Sequence, residues 1–437
     1  MTTRTVTVAP SGVLGFWAAV SIVMGNMIGS GVFLLPASLA AYRGLSLAGW
    51  LVSAAGAMML ALVFARLSSQ FPAAGGLYAY TRAAFGDTAG FLVAWGYWLS
   101  TVGTLAALAV ALVGYLDPFV PSLVRTPSAA ALLAIAMIWI VIGVNVAGVA
   151  LAGRVQIVTT ALKLLPLVVV GAGGLFFIDT AAFAMPPVST TPVGRQLMAV
   201  VTLTLWAFLG LECATIPADS VRDPERTIPR ATIIGTVLTA IVYIASTIGV
   251  MSLVPPDTLA SSTAPFADGA RRLVGGWGGA LVALGAAVSC FGALNGWALI
   301  VGQLPMAAAA DGLFPRAFGR LSSRGTPALA MIVAGAMSTV LVAMNYSRGL
   351  VELFTFIILL CTLSTLVPYV FCSLAVWLMP GLPAPSGAPA VVAVLAFLYS
   401  MLAIVGAGAE TVFYGFVLLL GGLPLFVWLR RAGGGAG

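Results

Sequence analysis

The chain has 437 residues, of which 61% are hydrophobic and only 7% are charged, and its mean hydropathy is +1.12. Ordinary soluble domains carry about 25% charged residues, so this composition excludes a soluble globule and indicates a polytopic membrane protein. The formal charge of +7 does not indicate a nucleic-acid partner, because the arginines are scattered along loops and are not gathered on one face.

Stretches of about 20 apolar residues, separated by Gly, Pro and charged clusters, predict an all-α fold with twelve transmembrane helices. No long polar linker divides the chain, so residues 1–437 are predicted to form one transmembrane domain. The predicted helices cover residues 13–41, 45–68, 85–117, 128–149, 154–178, 196–218, 228–254, 273–311, 326–346, 350–379, 387–408 and 410–431.

An even number of spans places both termini on one side of the membrane. If that side is the cytoplasm, its loops and ends hold twelve arginines, against six on the opposite side. The first set is Arg4, Arg66, Arg82, Arg154, Arg222, Arg226, Arg230, Arg316, Arg320, Arg324, Arg430 and Arg431; the second is Arg43, Arg125, Arg195, Arg271, Arg272 and Arg348. This bias predicts cytoplasmic termini in a plasma (inner) membrane protein.

The first and sixth predicted helices are interrupted in a matching way. Three glycines lie within Gly25–Gly31, and Gly210 precedes Glu212 in the sixth helix. Unwound backbone is tolerated inside a membrane only where it is buried in protein or lines a cavity. Broken helices at corresponding positions of two halves predict a 5+5 inverted-repeat transporter with a LeuT-like fold. The repeats would cover about 13–178 and 196–379, with helices 11 and 12 (about 387–431) outside them. As an alternative, the first glycines could simply allow close helix packing.

The only lysine of the chain, Lys163, lies inside an apolar stretch that is long enough to cross a bilayer. An ammonium at that depth is costly and should face protein or a water-filled path. Glu212 is its only deep ionisable counterpart. We therefore expect both residues to belong to a transport path.

Several segments resemble the amino acid/polyamine/organocation (APC) transporters. They are GNMIGSGVFLLPASLA, FPAAGGLYAYTRAAFG, TLWAFLGLECA, VRDPERTIPRATIIGT, TAPFADGARRLVG, and NGWALIVGQ with AAADGLFPRAF. Within that superfamily the chain is most similar to basic amino acid and polyamine antiporters of the arginine/agmatine and putrescine/ornithine type.

This resemblance implies a substrate site at the two breaks. Backbone N–H groups after the first break and the Ser30 hydroxyl would receive a substrate carboxylate, and carbonyls of the sixth helix would accept from an α-ammonium. Trp206 and Trp297 would flank the substrate side chain, and Tyr97 would act as a gate. The implied substrate-binding residues are Asn26, Met27, Ile28, Gly29, Ser30, Gly31, Tyr97, Trp206, Ala207, Leu209, Gly210 and Trp297.

Three further residues are predicted to act in coupling or gating: Lys163, Glu212 and Tyr369. Glu212 is either a proton-sensitive switch, as the resemblance implies, or a structural acid hydrogen-bonded to Tyr369. Lys163 distinguishes this chain from the arginine/agmatine type, which lacks a lysine in the matching stretch of helix 5. It either holds helix 1 to helix 5 as a fixed cation or couples protons to transport through its deprotonation.

The sequence therefore predicts a secondary transporter, most simply an exchanger of basic amino acids and their amine or polyamine products. The alternative is a proton-coupled permease for neutral or broad-range amino acids that uses Lys163. An enzyme is disfavoured because the chain has no His, no nucleophile elbow and no phosphate-binding loop. No cofactor or metal is predicted.

A channel is disfavoured because the polar residues look isolated along the chain and form no continuous stripe. The expected partners are the substrate, protons and the lipid bilayer, and the resemblance implies a homodimer through the last two helices.

Overall fold

The computed structural model describes the backbone of residues 12–178, 183–185, 191–262, 264–344 and 350–434, and the side chains of the same residues except 350–362 and 432–434. Arg4 and Arg348, which entered the comparison of the two membrane sides, lie outside the described residues. The described chain is almost entirely helical. Two residues, Leu14 and Val221, form an isolated parallel β-bridge.

The helices follow one another with short connections. In chain order they are α1 (Phe16–Met27), α2 (Leu35–Ala40), α3 (Leu45–Gln70), α4 (Leu77–Phe85), α5 (Asp87–Tyr115), α6 (Pro121–Val124), α7 (Pro127–Ala147), α8 (Val149–Gly174), α9 (Val193–Leu205), α10 (Pro224–Leu253), α11 (Pro256–Ala260), α12 (Pro265–Val274), α13 (Gly278–Ala310), α14 (Ala328–Met344), α15 (Leu350–Leu378), α16 (Ala388–Gly406), α17 (Ala409–Leu420) and α18 (Leu423–Gly434).

Within the described residues, nine helical segments are long and apolar enough to cross a membrane. Three shorter apolar helices are also present: Phe16–Met27, Ala328–Met344 and Leu363–Leu378. Length and composition thus confirm a polytopic membrane protein. Long side chains at the outer faces of these segments are apolar, as expected where lipid replaces water. Leu132, Val158, Ile241 and Val405 are examples of such exposed side chains.

Two predicted helices differ from the structure. The helix predicted over 273–311 begins later, at Gly278 of α13, because residues 273 and 274 end a separate helix, α12, after which Gly275 adopts φ +82°. Asp268 lies in the first turn of α12 and Arg271 in its last turn, so charges complement both ends of its dipole. The segment predicted over 410–431 is divided into α17 and α18 at Gly421 and Gly422.

Both predicted helix breaks are present in the structure. Helix α1 ends at Met27, and the chain continues through a 3-10 turn at Gly31–Phe33 into the short α2. Helix α9 ends at Leu205 and is followed by a 3-10 turn at Trp206–Phe208, after which Leu209 is extended. Gly210 then adopts φ +107°, a conformation that L-residues with a side chain rarely adopt.

The chain segments around the two breaks are joined to each other. Leu14, just before α1, donates from its N–H to Ser220 O (2.9 Å), and Arg222 N–H donates back to Leu14 O (2.9 Å). Helix α1 packs against α8, α10 and α13, and α5 packs against both α13 and α15. The interrupted segments therefore lie at the centre of the bundle, surrounded by the helices that carry the predicted site residues.

Candidate functional site

The two breaks meet at Asn26 and Gly210. A Cβ atom built on Gly210 would lie 3.2 Å from both the carbonyl carbon and the Cβ of Asn26. A Cβ on Gly296 of α13 would lie only 1.9 Å from Asn26 Oδ1. Asn26 is buried, and its amide makes no hydrogen bond to a nitrogen or oxygen atom of the described residues; the Cys213 thiol lies beside it. Small residues on both sides thus allow this amide to lie between the two broken helices.

We expect Gly210→Ala to destabilise the protein by about 1–3 kcal/mol, because alanine must adopt positive φ against Asn26. Thermal unfolding of the detergent-solubilised protein measures this loss. Gly143→Ala in α7 is the matched control, since nothing lies within 4 Å of its Cβ position and alanine favours a helix. Equal unfolding temperatures for the two variants would show that the positive φ at Gly210 is not needed.

Lys163 is fully buried and binds the end of α1. Its Nζ donates to Gly25 O at 2.8 Å and to Ile28 O at 2.7 Å. Ser289 of α13 donates to the carbonyls of Ile28 and Gly29, both at 3.1 Å. The expected contact between Lys163 and the first broken helix is confirmed, and it joins α1 to α8. Lys163 does not pair with Glu212; each has its own hydrogen-bond partners.

A chain of buried amides contacts α1 about one turn before the carbonyls that Lys163 binds, and again through α8. Gln156 Nε2 donates to Ser21 O at 3.1 Å, and Asn295 Nδ2 donates to Gln156 Oε1 at 2.9 Å. Asn145 Nδ2 lies 3.2 Å from Asn295 Oδ1. These three amides join α7, α8 and α13 to α1. The sequence analysis did not identify them, because the three residues lie in different helices and the sequence does not show that those helices bring them together.

Glu212 is fully buried between two tyrosines from different helices. Tyr97 of α5 donates to Glu212 Oε1, and Tyr369 of α15 donates to Glu212 Oε2. Tyr369 Oη also accepts from Gly210 N–H at 3.3 Å. The predicted contact between Glu212 and Tyr369 is confirmed. Through this carboxylate, the segment after the second break is fastened to two long helices at once.

The first break offers fewer backbone donors than expected. Ile28 N–H donates to Met24 O at 2.8 Å and Gly29 N–H donates to Met27 O at 3.0 Å, so these two donors are already used. Met27 is itself the last residue of α1. The chain keeps turning after the helix ends, which explains why these groups remain paired. Ser30 and Gly31 have no recorded acceptor for their N–H groups in the described part of the chain, and Gly31 is exposed.

The two predicted site tryptophans have different surroundings. Trp297 of α13 is buried, and its ring lies 6.2 Å from that of Tyr97, beside the Glu212 contacts. Trp206 is only half-buried and belongs to the 3-10 turn after α9. Leu209, also half-buried, lines a small cavity together with Tyr369. The structure thus places Trp297 at the tyrosine–glutamate contact and Trp206 at the second break.

Close packing also accounts for one glycine of the first break. A Cβ on Gly25 would lie 1.9 Å from Gln156 Nε2 and 2.9 Å from Thr160 Oγ1. Gly25 is therefore needed for helix approach, as in the alternative interpretation of these glycines. Nothing lies within 4 Å of a Cβ on Gly31. Close helix packing thus explains Gly25, whereas it does not explain Gly31, which lies in the break itself.

Helix α10 contains a polar stripe that contradicts the expectation of isolated polar positions. Its members recur at spacings of three and four residues, which places them on one helix face. They are Thr232, Thr236, Thr239, Tyr243 and Ser246, all fully buried. Thr236 bonds back to its own helix, to Thr232 O at 2.8 Å. The stripe packs inside the protein, and the spacing alone could have identified it.

Tyr243 is the member of this stripe that reaches the two breaks. Its hydroxyl lies 2.8 Å from Met27 O at the first break and 3.0 Å from Ala207 O at the second. The rings of Trp50 and Phe208 pack against it, with centroids 5.2 Å and 5.7 Å away. The sequence analysis overlooked Tyr243, because it judged helices by their glycine breaks and α10 has none near this residue.

Comparison with known proteins identifies the family. The family model described as amino acid permease matches residues 14–425. The chain is 34% identical over 405 residues to a cadaverine/lysine antiporter of Escherichia coli (strain K12), covering 91% of this chain and 90% of that protein.

Two other relatives have similar coverage. The chain is 34% identical over 384 residues to a putative arginine/ornithine antiporter of Bacillus subtilis (strain 168), covering 81% of this chain and 82% of that protein. It is 31% identical over 424 residues to the putrescine transporter PotE of Haemophilus influenzae, covering 96% and 97%. The chain therefore belongs to the amino acid permease family of the APC transporters.

Proposed function

We propose that this protein exchanges basic amino acids for their amine or polyamine products across a membrane by alternating access. The observation that carries this proposal is the meeting of two broken helices at Asn26 and Gly210. The N–H groups of Ser30 and Gly31 belong to the first break, and the carbonyl of Ala207 belongs to the second. The named relatives are exchangers or transporters of cadaverine, lysine, arginine, ornithine or putrescine, which supports the same substrate class.

The proposal includes the twelve-helix, LeuT-like arrangement expected from the sequence. The repeats would span about 13–178 and 196–379, with residues 387–431 outside them and one domain in all. The protein would lie in the plasma (inner) membrane. Both termini would lie in the cytoplasm, as the arginine bias predicts. A homodimer through the last two helices stays an expectation of the resemblance. The corresponding positions of the two breaks support the repeat.

The site could recognise a basic amino acid in three parts. Its carboxylate would accept from Ser30 and Gly31, where unwound backbone leaves N–H groups free. Its α-ammonium would donate to carbonyls of the second break, including that of Ala207. Its cationic side chain would lie against Trp297 and Trp206, since indole faces attract cations. Asn26, whose buried amide makes no hydrogen bond to a nitrogen or oxygen atom of the described residues, would be available to a polar group of the substrate.

Gating would depend on Glu212, which joins the second break to α5 and α15 through Tyr97 and Tyr369. Opening the path on that side requires these bonds to break. Neutralising the carboxyl would weaken them, because hydrogen bonds to an ionised group are about twice as strong as neutral ones. Proton sensitivity of exchange then follows from one buried group.

A second function has one observation in its favour. The buried ammonium of Lys163 donates to two carbonyls at the first break, and loss of its proton would remove one of those bonds. Movement of α1 could in this way be coupled to a proton. A proton-coupled permease for neutral or broad-range amino acids would use Lys163 in that role.

Uptake of labelled arginine into liposomes that contain the purified protein separates the two functions. The liposomes are loaded with unlabelled arginine, agmatine, putrescine or leucine, or left empty, at two external pH values. Uptake that requires an internal cationic partner would establish the exchanger. Uptake driven by a pH gradient into empty liposomes, or stimulated best by internal leucine, would establish the permease.

Trp297→Leu is expected to weaken binding of cationic substrates by about 2- to 30-fold, the range that a cation–π contact contributes, and to affect neutral amino acids less. Trp206→Ala is expected to impair both classes, because it removes a side chain at the second break itself. Competition against labelled arginine measures both effects. Trp17→Leu is the control, since Trp17 is 64% exposed. Equal losses of affinity for all substrates in Trp297→Leu would show that Trp297 does not distinguish cationic from neutral substrates.

A further inference from the structure

Tyr243 donates one proton but faces two carbonyl oxygens. Its hydroxyl lies 2.8 Å from Met27 O and 3.0 Å from Ala207 O, and these acceptors belong to different breaks. A phenol can fully satisfy only one acceptor at a time. At any moment one of the two carbonyls therefore has to rely on another donor.

The two carbonyls differ in what else they accept. Met27 O also receives Gly29 N–H at 3.0 Å. Ala207 O has no second donor among the described residues, and Ala207 is half-buried. A buried acceptor without a donor is costly, by about 1–3 kcal/mol. Ala207 O is thus an acceptor that a ligand N–H group would satisfy.

The tyrosine cannot easily turn away from this position. Trp50 and Phe208 pack against its ring and against each other, with centroids 6.0 Å apart, and Tyr243 is fully buried. Its oxygen and the two carbonyl oxygens form a group of three acceptors at the junction of the breaks. A primary ammonium has three N–H donors and a positive charge, which suits such a group.

We propose that Tyr243 is a positioning residue for the substrate's α-ammonium. In the empty protein the phenol shares its proton between Met27 O and Ala207 O. When substrate enters, its ammonium donates to Ala207 O and to the phenol oxygen of Tyr243, and the phenol proton goes to Met27 O. Tyr243→Phe then removes one hydrogen bond to the ammonium. This inference rests on the proposed function and adds to it the residue, outside both breaks, that orients the amine acceptors. The residue acts on the amine end of the substrate and not on its carboxylate or its side chain.

The test compares three ligands that differ at the amine and carboxylate ends. Arginine has both groups, agmatine has the amine without the carboxylate, and the des-amino analogue of arginine has the carboxylate without the amine. Each competes with labelled arginine for wild-type protein and for Tyr243→Phe. We expect Tyr243→Phe to weaken arginine and agmatine by about tenfold, as the loss of a hydrogen bond near a charged group predicts, and to leave the des-amino analogue unchanged.

Tyr80→Phe is the matched control. Tyr80 is equally buried, and no hydrogen bond joins its hydroxyl to Met27, Ala207 or another residue of the two breaks in the described part of the chain. The rate of exchange at saturating arginine gives a second measurement. A positioning role raises the KM for arginine and leaves the saturated rate near that of wild type, whereas a structural role lowers the rate and the amount of folded protein.

Each outcome has a separate meaning. Equal weakening of all three ligands, or an unchanged arginine affinity, would overturn the proposal for Tyr243. Where wild type does not bind the des-amino analogue, the KM and saturated rate decide, and a fall in rate alone would overturn it. Folded wild-type protein that binds neither arginine nor agmatine would instead contradict the proposed function.

Discussion

Replacement of Lys163 by methionine is expected to reduce exchange at least about 100-fold, because it removes two charge-assisted hydrogen bonds worth about 1.5–3 kcal/mol each. The bonds to Gly25 O and Ile28 O hold the end of α1 in its interrupted shape. Methionine keeps the apolar length of the side chain, so the cavity that alanine would leave is avoided. Counterflow of labelled arginine in liposomes measures the loss.

Ser289→Ala is the matched control for Lys163→Met. Ser289 donates to the same Ile28 carbonyl from α13 but carries no charge. A much smaller loss in this variant would show that the charge matters beyond the hydrogen bond. Lys163→Met that retains exchange but loses uptake driven by a pH gradient would establish Lys163 as the coupling residue. Unchanged proton dependence together with lower thermal stability would make it a structural cation.

The sequence predicts the class of protein and the places where its helices break, because each depends on local features. Apolar length identifies spans, and glycines beside polar residues identify breaks, as at Gly210. The contact of Glu212 with Tyr369 was also predictable, since a buried carboxylate needs donors and few polar groups lie at that depth. Lys163 was identified for the same reason.

The remaining site residues depend on pairings between distant helices. Tyr243 belongs to a polar stripe of α10 and Asn295 lies in a glycine- and alanine-rich helix, and nothing in either neighbourhood indicates which backbone the side chain reaches. The stripe that contains Tyr243 has helical spacing, but spacing shows a shared face and not the partner that covers it. The paired N–H groups of Ile28 and Gly29 could not be foreseen either, since they depend on how the chain turns after Met27.

The two buried ionisable residues, Lys163 and Glu212, have opposite surroundings, so substitutions at one and at the other should have separate effects on stability. Lys163 is held by carbonyls of the first break, and Glu212 by phenols that contact the second. Because neither neutralises the other, a change at one leaves the hydrogen bonds of the other in place. Substitutions at Lys163 and Glu212 should therefore be close to additive in their effects on stability.

Glu212→Gln is expected to lower the rate of exchange by about tenfold or more, while arginine affinity changes less than about threefold, because it weakens contacts between helices and not contacts to substrate. The carboxylate accepts from Tyr97 on one oxygen and from Tyr369 on the other. Glutamine keeps one acceptor and places an N–H group against the second phenol. One of the two connections to α5 and α15 is then lost, and pH dependence that arises from this carboxyl should disappear.

A double-mutant cycle with Tyr369→Phe tests whether these groups act as one unit. Residues in one hydrogen-bond network show coupling of about 0.5–3 kcal/mol, so the double variant should lose less than the sum of the single losses. Thr215→Val is a nearby control, since the Thr215 hydroxyl donates to the Glu212 backbone carbonyl at 2.7 Å and not to its carboxylate. Exchange at the wild-type rate in Glu212→Gln, or strictly additive losses, would make Glu212 a structural acid. A non-additive loss with preserved binding would establish that the Tyr97–Glu212–Tyr369 contacts control movement of the broken helix and not affinity for the substrate.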